Sequence, residues 1–464
     1  MKLGVIHSQL GMLDGVSIVA SQIQQALTRH AGFSDGDFAY LAGKGQGLPS
    51  LTIAPLLWHR HSENLFFLEH FSSEPPPGDL ASRLEAAVRS ATGIFQRWFT
   101  EINPDVVLVH NACHPTNLIL ALGWSAWLAS RRRQGLSKPR YVVWWHDSHL
   151  ERERFSRPST LLRSKLAEGV PGPLLDAVVC INSGQPPLVR RYLEDLGVPS
   201  SVRDEILSRC RIIPNTAEIP ERWPNNASLG PLRPRPRPAW EEYLEALGVT
   251  PWLGSLSKKP EEVVLLLQHT RIVRRKRLDT ALDLAYRLAE ALHSRGGRRA
   301  VALLVSGNSG DELDPYLEEI LTEHARRKAS SAAEVGLFLA ETADRATLPF
   351  DEFPGLVASR GGLGVYCSEL EGYGNNLLEM IAWGLPVIVN RYPVFVSDIA
   401  PLGFRLVELT ANLVTEETLA SGLALLDEFS HRDEVVLHNL ELLERHCGHR
   451  IIADLLGPLL RELA

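Results

Sequence analysis

Short apolar runs alternate with longer helical patterns along the 464 residues of this chain. The runs are rich in β-branched residues and apolar throughout, which is typical of strands buried on both faces of a parallel sheet. Strands that alternate with helices predict α/β domains with right-handed crossovers. We predict strands at Leu3–His7, Phe38–Leu41, Val106–His110, Tyr141–Trp145, Val178–Ile181, Arg211–Ile213, Val263–Gln268, Val301–Ser306, Val335–Leu339, Gly364–Cys367 and Pro386–Asn390.

A proline-rich break at Ile219–Trp240 divides these strands into two sets. Alternating arginine and proline cannot join a sheet and favours an extended chain. The segment is either an arginine-rich docking motif or an interdomain connector, and we favour the connector because no aromatic partner groove is implied. The predicted organisation is therefore an α/β domain over residues 1–218, a linker over 219–250, a second α/β domain over 251–430 and a helical segment over 431–464.

Composition and charge exclude several classes of protein. Hydrophobic residues make up 45% and charged residues 22%, which is ordinary for a soluble globular protein. The net charge of -7 disfavours a general surface for nucleic acid. No apolar stretch approaches the ~20 residues of a membrane span, and the first residues lack the pattern of a signal peptide. The cysteines are odd in number and form no CxxC pair, which predicts reduced thiols and a cytoplasmic location.

The most informative segment follows the predicted strand Gly364–Cys367. Gly372 and Gly374 allow a tight turn and a close approach to a ligand, and a helix then begins at the following asparagines. Unsatisfied amides at such a helix start form a phosphate site. Glu371 and Glu379 are suited to accept hydrogen bonds from sugar hydroxyls. They could instead be an ordinary turn residue and a solvated helix residue, but the glycine-rich turn between them favours a binding site.

A basic segment follows the strand Val263–Gln268. Arg271 and Lys276 lie just beyond a strand end, where a diphosphate would need cations. A solvated charge run that caps the sheet would look the same, so the sequence leaves both interpretations open.

The first half of the chain offers weaker candidates. Gly15 stands in a glycine-containing turn that opens a helix, a pattern that an ordinary βα turn also produces. His146 and Asp147 end one predicted strand, and His110 and Asn111 end another. These side chains could face a substrate, although a strand-end histidine is more often structural.

Other catalytic motifs are missing from the sequence. It contains no HExxH or spaced Cys/His zinc set, no GxxxxGK[ST] loop and no GxSxG elbow. Asp35 and Asp37 form a DxD pattern, which we interpret as turn chemistry. We therefore predict no metal site.

These motifs resemble those of the family-4 retaining glycosyltransferases. GYG between Glu371 and Glu379, followed by AWGLPVIV, resembles the E-x7-E signature of that family. Arg271 and Lys276 resemble its "GR-x4-KG" segment, RIIPNTAEI resembles "VIPNGVD", and VSGN resembles its "vGxG" turn. The motifs follow in the right order over nearly the whole chain. The chain differs from the family motifs at Thr270, at Arg277 and in the first loop. These differences bear on the identity of the donor sugar and of the acceptor more than on the fold.

The resemblance implies a GT-B fold, in which two Rossmann-like domains face each other across a cleft. The domain over 1–218 would bind the acceptor, the domain over 251–430 would bind the nucleotide sugar, and the segment over 431–464 would pack back on the N-terminal domain. Catalytic roles would fall to Arg271, Lys276, Glu371 and His146. The implied donor-binding residues are Gly15, Arg271, Lys276, Glu371, Gly372, Tyr373, Gly374, Asn375, Asn376, Leu377 and Glu379. The acceptor-side candidates are His110, Asn111, His146 and Asp147.

The implied activity is retaining transfer of a hexose to a hydroxyl acceptor. The donor would be a nucleoside-diphosphate sugar of the GDP-mannose or UDP-glucose type, and the acceptor a small soluble glycoside. In the family pattern Arg271 and Lys276 hold the diphosphate, Glu379 the ribose and Glu371 a hydroxyl of the transferred sugar. No cofactor or metal ion is expected. A GT-B nucleotide-sugar epimerase and a non-catalytic GT-B interaction subunit are the alternatives. The sequence leaves the base, the sugar, the linkage and the oligomeric state open.

Overall fold

The structure is a computed structural model that describes residues 1–12, 14–112, 114–151, 155–169, 174–221, 232–309, 315–343 and 348–464. The chain divides into two compact units. The first unit contains Met1–Thr216 and His449–Ala464, and the second contains Ala217–Gly448.

The first unit is built on a parallel sheet of seven strands among the described residues, in the order β3-β2-β1-β4-β5-β6-β7. Its strands are β1 (Leu3–Leu10), β2 (Phe38–Gly45), β3 (Leu51–Ile53), β4 (Val106–His110), β5 (Arg140–Trp145), β6 (Ala177–Cys180) and β7 (Cys210–Ile212). Its helices are α1 (Gly15–His30), α2 (Ser62–Glu69), α3 (Leu80–Ile102), α4 (Leu118–Arg133), α5 (Thr160–Gly169), α6 (Gln185–Asp195), α7 (Ser200–Ser208) and α16 (Arg450–Leu463).

Burial on both faces of the sheet explains the uniformly apolar strands. All five residues of β4 are buried, and so are the last five of β5. Helix α3 presents an apolar stripe to α4, where Gly123 leaves room for Ala91, because a Cβ at Gly123 would lie 2.4 Å from that methyl group. Polar residues lie at the carboxyl edge of the sheet, where β4 ends in His110 and His146 follows β5.

The second unit is built on a parallel sheet of six strands among the described residues, in the order β10-β9-β8-β11-β12-β13. Its strands are β8 (Val263–Gln268), β9 (Ala300–Val305), β10 (Val335–Leu339), β11 (Leu363–Tyr366), β12 (Val387–Asn390) and β13 (Val407–Leu409). Its helices are α8 (Pro238–Ala246), α9 (Val249–Ser255), α10 (Leu278–Ser294), α11 (Tyr316–Ser330), α12 (Phe353–Ser359), α13 (Asn375–Ala382), α14 (Glu416–Asp427) and α15 (Phe429–Cys447).

Each predicted strand overlaps a strand of the structure, and the predicted α/β class is confirmed. The strands β3 and β13 were not predicted. Each has three residues and lies at a sheet edge, where a short apolar run gives little signal.

The unit boundaries differ from the domain limits predicted from the sequence. Residues 222–231 of the predicted linker lie outside the described residues. The rest of that linker is not a free connector, because α8 and the first two residues of α9 fall within residues 219–250 and Trp240 is 1% exposed. Its indole donates to Glu352 at 2.8 Å, within the second unit. The predicted C-terminal segment is divided, since α15 belongs to the second unit and α16 packs with α1 in the first.

Candidate active site

In the second unit the strand order reverses at β8, which lies between β9 and β11. Ligands of open α/β sheets bind at such a switch point, beyond the carboxyl ends of the strands. The basic segment follows β8 and the glycine-rich turn follows β11, so both sequence candidates of this unit reach the same edge.

A buried ion pair joins these two segments. The Lys276 ammonium donates to the Glu371 carboxylate, and the two side chains are only 9% and 11% exposed. The Tyr366 hydroxyl donates to the same carboxylate oxygen at 2.8 Å. Arg275 Nη1 lies 3.7 Å from the other oxygen and donates to the Leu370 carbonyl at 2.9 Å. Glu371 thus links the loop after β11 to the loop after β8.

Burial and neighbouring charge set the protonation of this pair. Burial lowers the pKa of Lys276 to about 8, against the opposing attraction of Glu371. Burial alone would raise the pKa of Glu371, but the charges of Lys276 and Arg275 outweigh it and hold that pKa below its usual value. At neutral pH the pair is therefore ionised, with its cation close to the point of losing a proton.

Arg271 is exposed at the start of the same basic loop. Its charge is close enough to lower the pKa of Lys276, after burial and the effect of Arg275. A Cβ at Gly307 would lie 2.7 Å from the Arg271 Cα, so glycine there lets the loop after β9 support the loop after β8. The Ile272 amide donates to the Asn308 carbonyl at 3.0 Å across that contact.

Glu379 projects from the second turn of α13 toward His269. Nε2 of His269 lies 3.1 Å from Glu379 Oε2, and Nδ1 lies 2.8 Å from Ser306 Oγ. The imidazole is fully buried and stacks on Phe350 with the ring centroids 4.2 Å apart. The Asn376 amide donates to the His269 carbonyl. Glu379 is thus held in place by the buried His269, and its side chain remains 18% exposed.

The turn between the two glutamates depends on Gly374. Its φ is +127°, and a Cβ there would lie 2.3 Å from the Tyr392 hydroxyl. That hydroxyl donates to the Tyr373 carbonyl at 2.7 Å. Gly372 is exposed, Tyr373 and Leu377 are buried, and Asn375 begins α13. The amides of Leu377 and Leu378 donate to the Gly374 carbonyl, and the positive end of the helix at Asn375 is suited to phosphate oxygens.

The corresponding switch point of the first unit lies between β1 and β4. Gly15 is exposed at the first position of α1, and a Cβ there would meet no atom within 4 Å. Packing therefore does not require glycine at this position. Asp14 caps the helix and accepts hydrogen bonds from the amides of Val16 and Ser17 at 3.1 Å.

Three histidines lie together at the carboxyl edge of this sheet. His110 Nδ1 is 3.1 Å from His146 Nε2, and His7 Nδ1 is 3.0 Å from the His110 carbonyl. His110 Nε2 is buried without a hydrogen-bond partner among the described residues. Burial lowers the pKa of His146 to about 3 and that of His7 to about 4, and holds the pKa of His110 well below its usual value. These rings are neutral at pH 7 and act as hydrogen-bonding groups.

Asn111 and Asp147 are neighbours at the same edge. With its side-chain amide turned to donate, Asn111 lies 3.2 Å from the carboxylate and the carbonyl oxygen of Asp147. Asn111 has a positive φ of 53° and its own amide donates to the Trp144 carbonyl. The structure therefore brings together His110, Asn111, His146 and Asp147, the predicted acceptor-side residues.

Sequence reasoning missed several residues that shape these sites. The sequence signal for His269 was its position directly after β8, at the carboxyl edge of the sheet. Tyr366 and Phe350 carry no sequence signal, because only the fold brings them to Glu371 and His269. Ser306 lies in the VSGN segment, but only the fold brings it to His269. Among the described residues, no group of three His, Cys, Asp or Glu side chains is placed to hold a metal ion. None of the described helices is long and apolar enough to cross a membrane.

No family model matches the sequence. Two curated relatives are both called mannosylglucosylglycerate synthase. The protein of Thermotoga maritima is 34% identical over 216 residues, which cover 42% of this chain and 48% of that protein. The protein of Petrotoga mobilis is 25% identical over 424 residues, which cover 88% of this chain and 86% of that protein. The more similar match thus spans about half the length of the relative.

Solved structures of similar fold cover almost the whole chain. A trehalose-6-phosphate protein of E. coli, solved with UDP-2-fluoro glucose, matches with a TM-score of 0.62 and 13% identity over 99% of each chain. The sucrose-phosphate synthase of Thermosynechococcus elongatus matches with a TM-score of 0.59 and 15% identity over 100% of this chain and 98% of that one.

The fold is therefore GT-B, as the sequence predicted. The relatives and the fold together support the predicted class of enzyme, a glycosyltransferase that transfers hexoses. The predicted resemblance to the family-4 retaining enzymes is confirmed. The roles of individual residues stay predictions.

Proposed function

We propose that this chain transfers a mannosyl group, with retention, from a nucleoside-diphosphate sugar to a hydroxyl of glucosylglycerate or a closely similar small glycoside. The names of both curated relatives support mannosyl transfer to such an acceptor. The observation that carries the proposal is the buried Lys276–Glu371 pair at the switch point of the second unit, beside the start of α13.

The geometry of this pair suits a sugar diphosphate. In such a donor the sugar is bonded directly to the second phosphate, so a cation for that phosphate and a carboxylate for a sugar hydroxyl must be neighbours. Lys276 and Glu371 meet this requirement. Arg271 and the first amides of α13 add positive potential for the remaining phosphate oxygens.

Glu379 is suited to the ribose. A carboxylate can accept hydrogen bonds from both hydroxyls of a ribose. His269 holds the Glu379 carboxylate in place through Oε2. Arg271, Lys276, Glu371 and Glu379 thus provide a contact for each part of the donor except the base.

The proposed reaction is a displacement on one face of the sugar. The bond from the anomeric carbon to the phosphate oxygen breaks, and the acceptor oxygen bonds to the same face. The departing phosphate oxygen takes the acceptor proton. Lys276, Arg271 and the helix amides stabilise the charge that grows on the diphosphate, which is the role a divalent ion has in other transferases. No metal ion or other cofactor is proposed.

His146 is proposed to orient the acceptor in the first unit. Its Nε2 is engaged by His110, and its Nδ1 makes no hydrogen bond among the described residues. A neutral imidazole with one nitrogen available can bond a sugar hydroxyl without adding charge.

The donor can be identified by thermal-shift measurements with GDP-mannose, UDP-glucose, ADP-glucose and the free nucleotides. A donor that binds the folded protein raises the melting temperature by mass action. We expect one mannosyl donor to stabilise the protein and to yield product with glucosylglycerate. Conversion of the sugar nucleotide without an acceptor would instead indicate the epimerase, and no response to any donor would contradict the proposal.

A further inference from the structure

A second group of polar residues lies at the carboxyl edge of the first unit's sheet, outside the predicted site residues. Lys44 lies near the end of β2, and Trp58, His59 and Arg60 follow β3. We propose that these four residues, the Lys44 subsite, bind a carboxylate or phosphate group carried by the acceptor sugar. This inference rests on the proposed function, because it assigns a substrate class to the acceptor.

Glycines bring the loops of the Lys44 subsite close together. A Cβ at Gly43 would lie 2.0 Å from the Trp58 amide nitrogen, so the segment after β3 packs directly on the backbone of β2. Gly11 has a φ of +68°, and a Cβ there would lie 1.9 Å from the Gln46 carbonyl. The ends of β1 and β2 are therefore in backbone contact. A side chain at either position would push these segments apart. Glycine at both positions therefore allows the loops to form one surface.

Lys44 presents an exposed positive charge. Its ammonium lies 4.8 Å from the centroid of the Trp58 ring, and the side chain is exposed. Among the described residues no carboxylate pairs with it. The Trp58 indole donates to Gln9 Oε1 at 3.4 Å, which fixes the ring that supports the ammonium.

His59 adds a directed hydrogen-bond donor. Ser8 Oγ accepts from the His59 amide at 2.8 Å and lies 2.7 Å from Nδ1. Burial, then the charges of Arg60 and Lys44, lower the pKa of His59, while Asp14 acts in the opposite direction. The ring is therefore neutral at pH 7. With the Ser8 hydroxyl donating to Nδ1, Nε2 carries the proton and makes no hydrogen bond among the described residues.

The nearby Asp14 carboxylate offsets part of this positive charge, and its oxygens are hydrogen-bonded within the first loop. Asp14 Oδ1 accepts from two backbone amides, and Oδ2 accepts from Ser17 Oγ at 2.6 Å and Gln9 Nε2 at 3.0 Å. The exposed cations Lys44 and Arg60 and the His59 N–H thus share one edge. Such a set recognises an anion rather than a neutral sugar ring.

The test is calorimetric binding of glucosylglycerate, glucose 6-phosphate and glucose to the full chain, which requires no turnover. We expect at least one of the two anionic sugars to bind more tightly than glucose. Lys44→Gln should weaken that binding about 10- to 100-fold, as loss of a charged hydrogen bond does, and should leave glucose unchanged. Arg60→Gln provides a second, independent loss of charge.

Lys138→Gln is the matched control. It removes the same charge near the amino end of β5, where Lys138 pairs with Asp105. We expect it to leave the affinity for the anionic sugar unchanged. Binding of glucosylglycerate alone would assign a carboxylate subsite, and binding of glucose 6-phosphate alone a phosphate subsite. Equal affinity for all three sugars, or equal effects of the Lys44 and Lys138 variants, would overturn the proposal.

Transfer assays separate this inference from the proposed function. If the wild-type chain transfers a mannosyl group to glucosylglycerate and Lys44→Gln leaves the KM for that acceptor unchanged, the proposed activity stands and the Lys44 subsite is wrong. If it binds the anionic sugar through Lys44 but accepts no sugar nucleotide, the subsite stands and the proposed activity fails. In an active enzyme Lys44→Gln should raise the KM for the anionic acceptor and leave kcat unchanged.

Discussion

His269 holds Glu379 through a hydrogen bond of 3.1 Å between Nε2 and Oε2, and its other ring nitrogen faces Ser306. Because a carboxylate only accepts, Nε2 carries the proton of this hydrogen bond. His269 is thus a positioning residue for the proposed ribose contact.

The first prediction concerns this contact. His269→Phe should weaken binding of free nucleotide and nucleotide sugar equally, on the order of tenfold, because Glu379 loses a charged hydrogen bond while a ring still packs on Phe350. Calorimetry with both ligands measures the effect, and thermal unfolding reports any loss of stability. A Ser306→Ala variant should show a smaller change of the same kind. A variant at His269 that loses stability but keeps nucleotide affinity would show that the histidine is only structural.

The second prediction separates the two glutamates. Glu379→Gln should weaken binding of the free nucleotide and the nucleotide sugar alike, because ribose is common to both. Glu371→Gln should spare the free nucleotide and lower transfer, because its proposed partner is the sugar. Binding constants for both ligands, with kcat for transfer, make the comparison. Equal losses of free-nucleotide affinity in the two variants would contradict this division of roles.

The third prediction is a pH dependence that arises from Lys276. Since its pKa is lowered to about 8, the donor-free protein loses this positive charge as the pH rises through that value. Donor affinity should therefore be constant near pH 7 and weaken progressively toward pH 9. Lys276→Arg keeps its charge over this range and should give a flat profile. Lys276→Ala should lower kcat/KM about 10²- to 10³-fold, as loss of a charge-stabilising donor does. A wild-type profile as flat as that of the arginine variant would exclude the lysine from the donor site.

The fourth prediction concerns Gly374. Gly374→Ala should cost about 1–3 kcal/mol of stability through its positive φ and should abolish donor binding, because the new methyl group meets the Tyr392 hydroxyl. Adding Tyr392→Phe should restore part of the stability by removing the contacting oxygen. Gly403→Ala is the matched control, since its φ is +88° and its Cβ would lie 3.9 Å from Leu442. That control should lose stability and keep donor affinity, as thermal unfolding and nucleotide titration would show.

The fifth prediction concerns stereochemistry and metal ions. An α-linked donor should yield an α-linked product, and activity should survive EDTA because Lys276, Arg271 and the α13 amides stabilise the leaving group. The anomeric proton coupling of the product, measured by NMR, reports the configuration. A β-linked product would contradict the same-face mechanism. If activity is lost in EDTA and restored by Mg²⁺, only the prediction of metal-free activity is contradicted.

Local patterns were enough to predict the fold. Uniformly apolar runs such as Val263–Gln268 indicated strands buried on both faces, and that strand has these bounds in the structure. Gly374, Glu371 and Glu379 lie within a few residues of one another, so their arrangement around a turn and a helix could also be derived from sequence. Edge strands such as β3 were not predicted because three residues give no periodic signal.

Contacts between distant segments were decided by the tertiary structure. Lys276 and Glu371 are 95 residues apart, and His269 and Glu379 are 110 apart. They meet because β8 and β11 are neighbours in the sheet, and strand order follows from how the helices pack rather than from any local preference. The sequence alone thus determined which segments could carry the chemistry. Packing determined their partners, because side chains far apart along the chain interact only after burial of the strands has brought their ends to one edge.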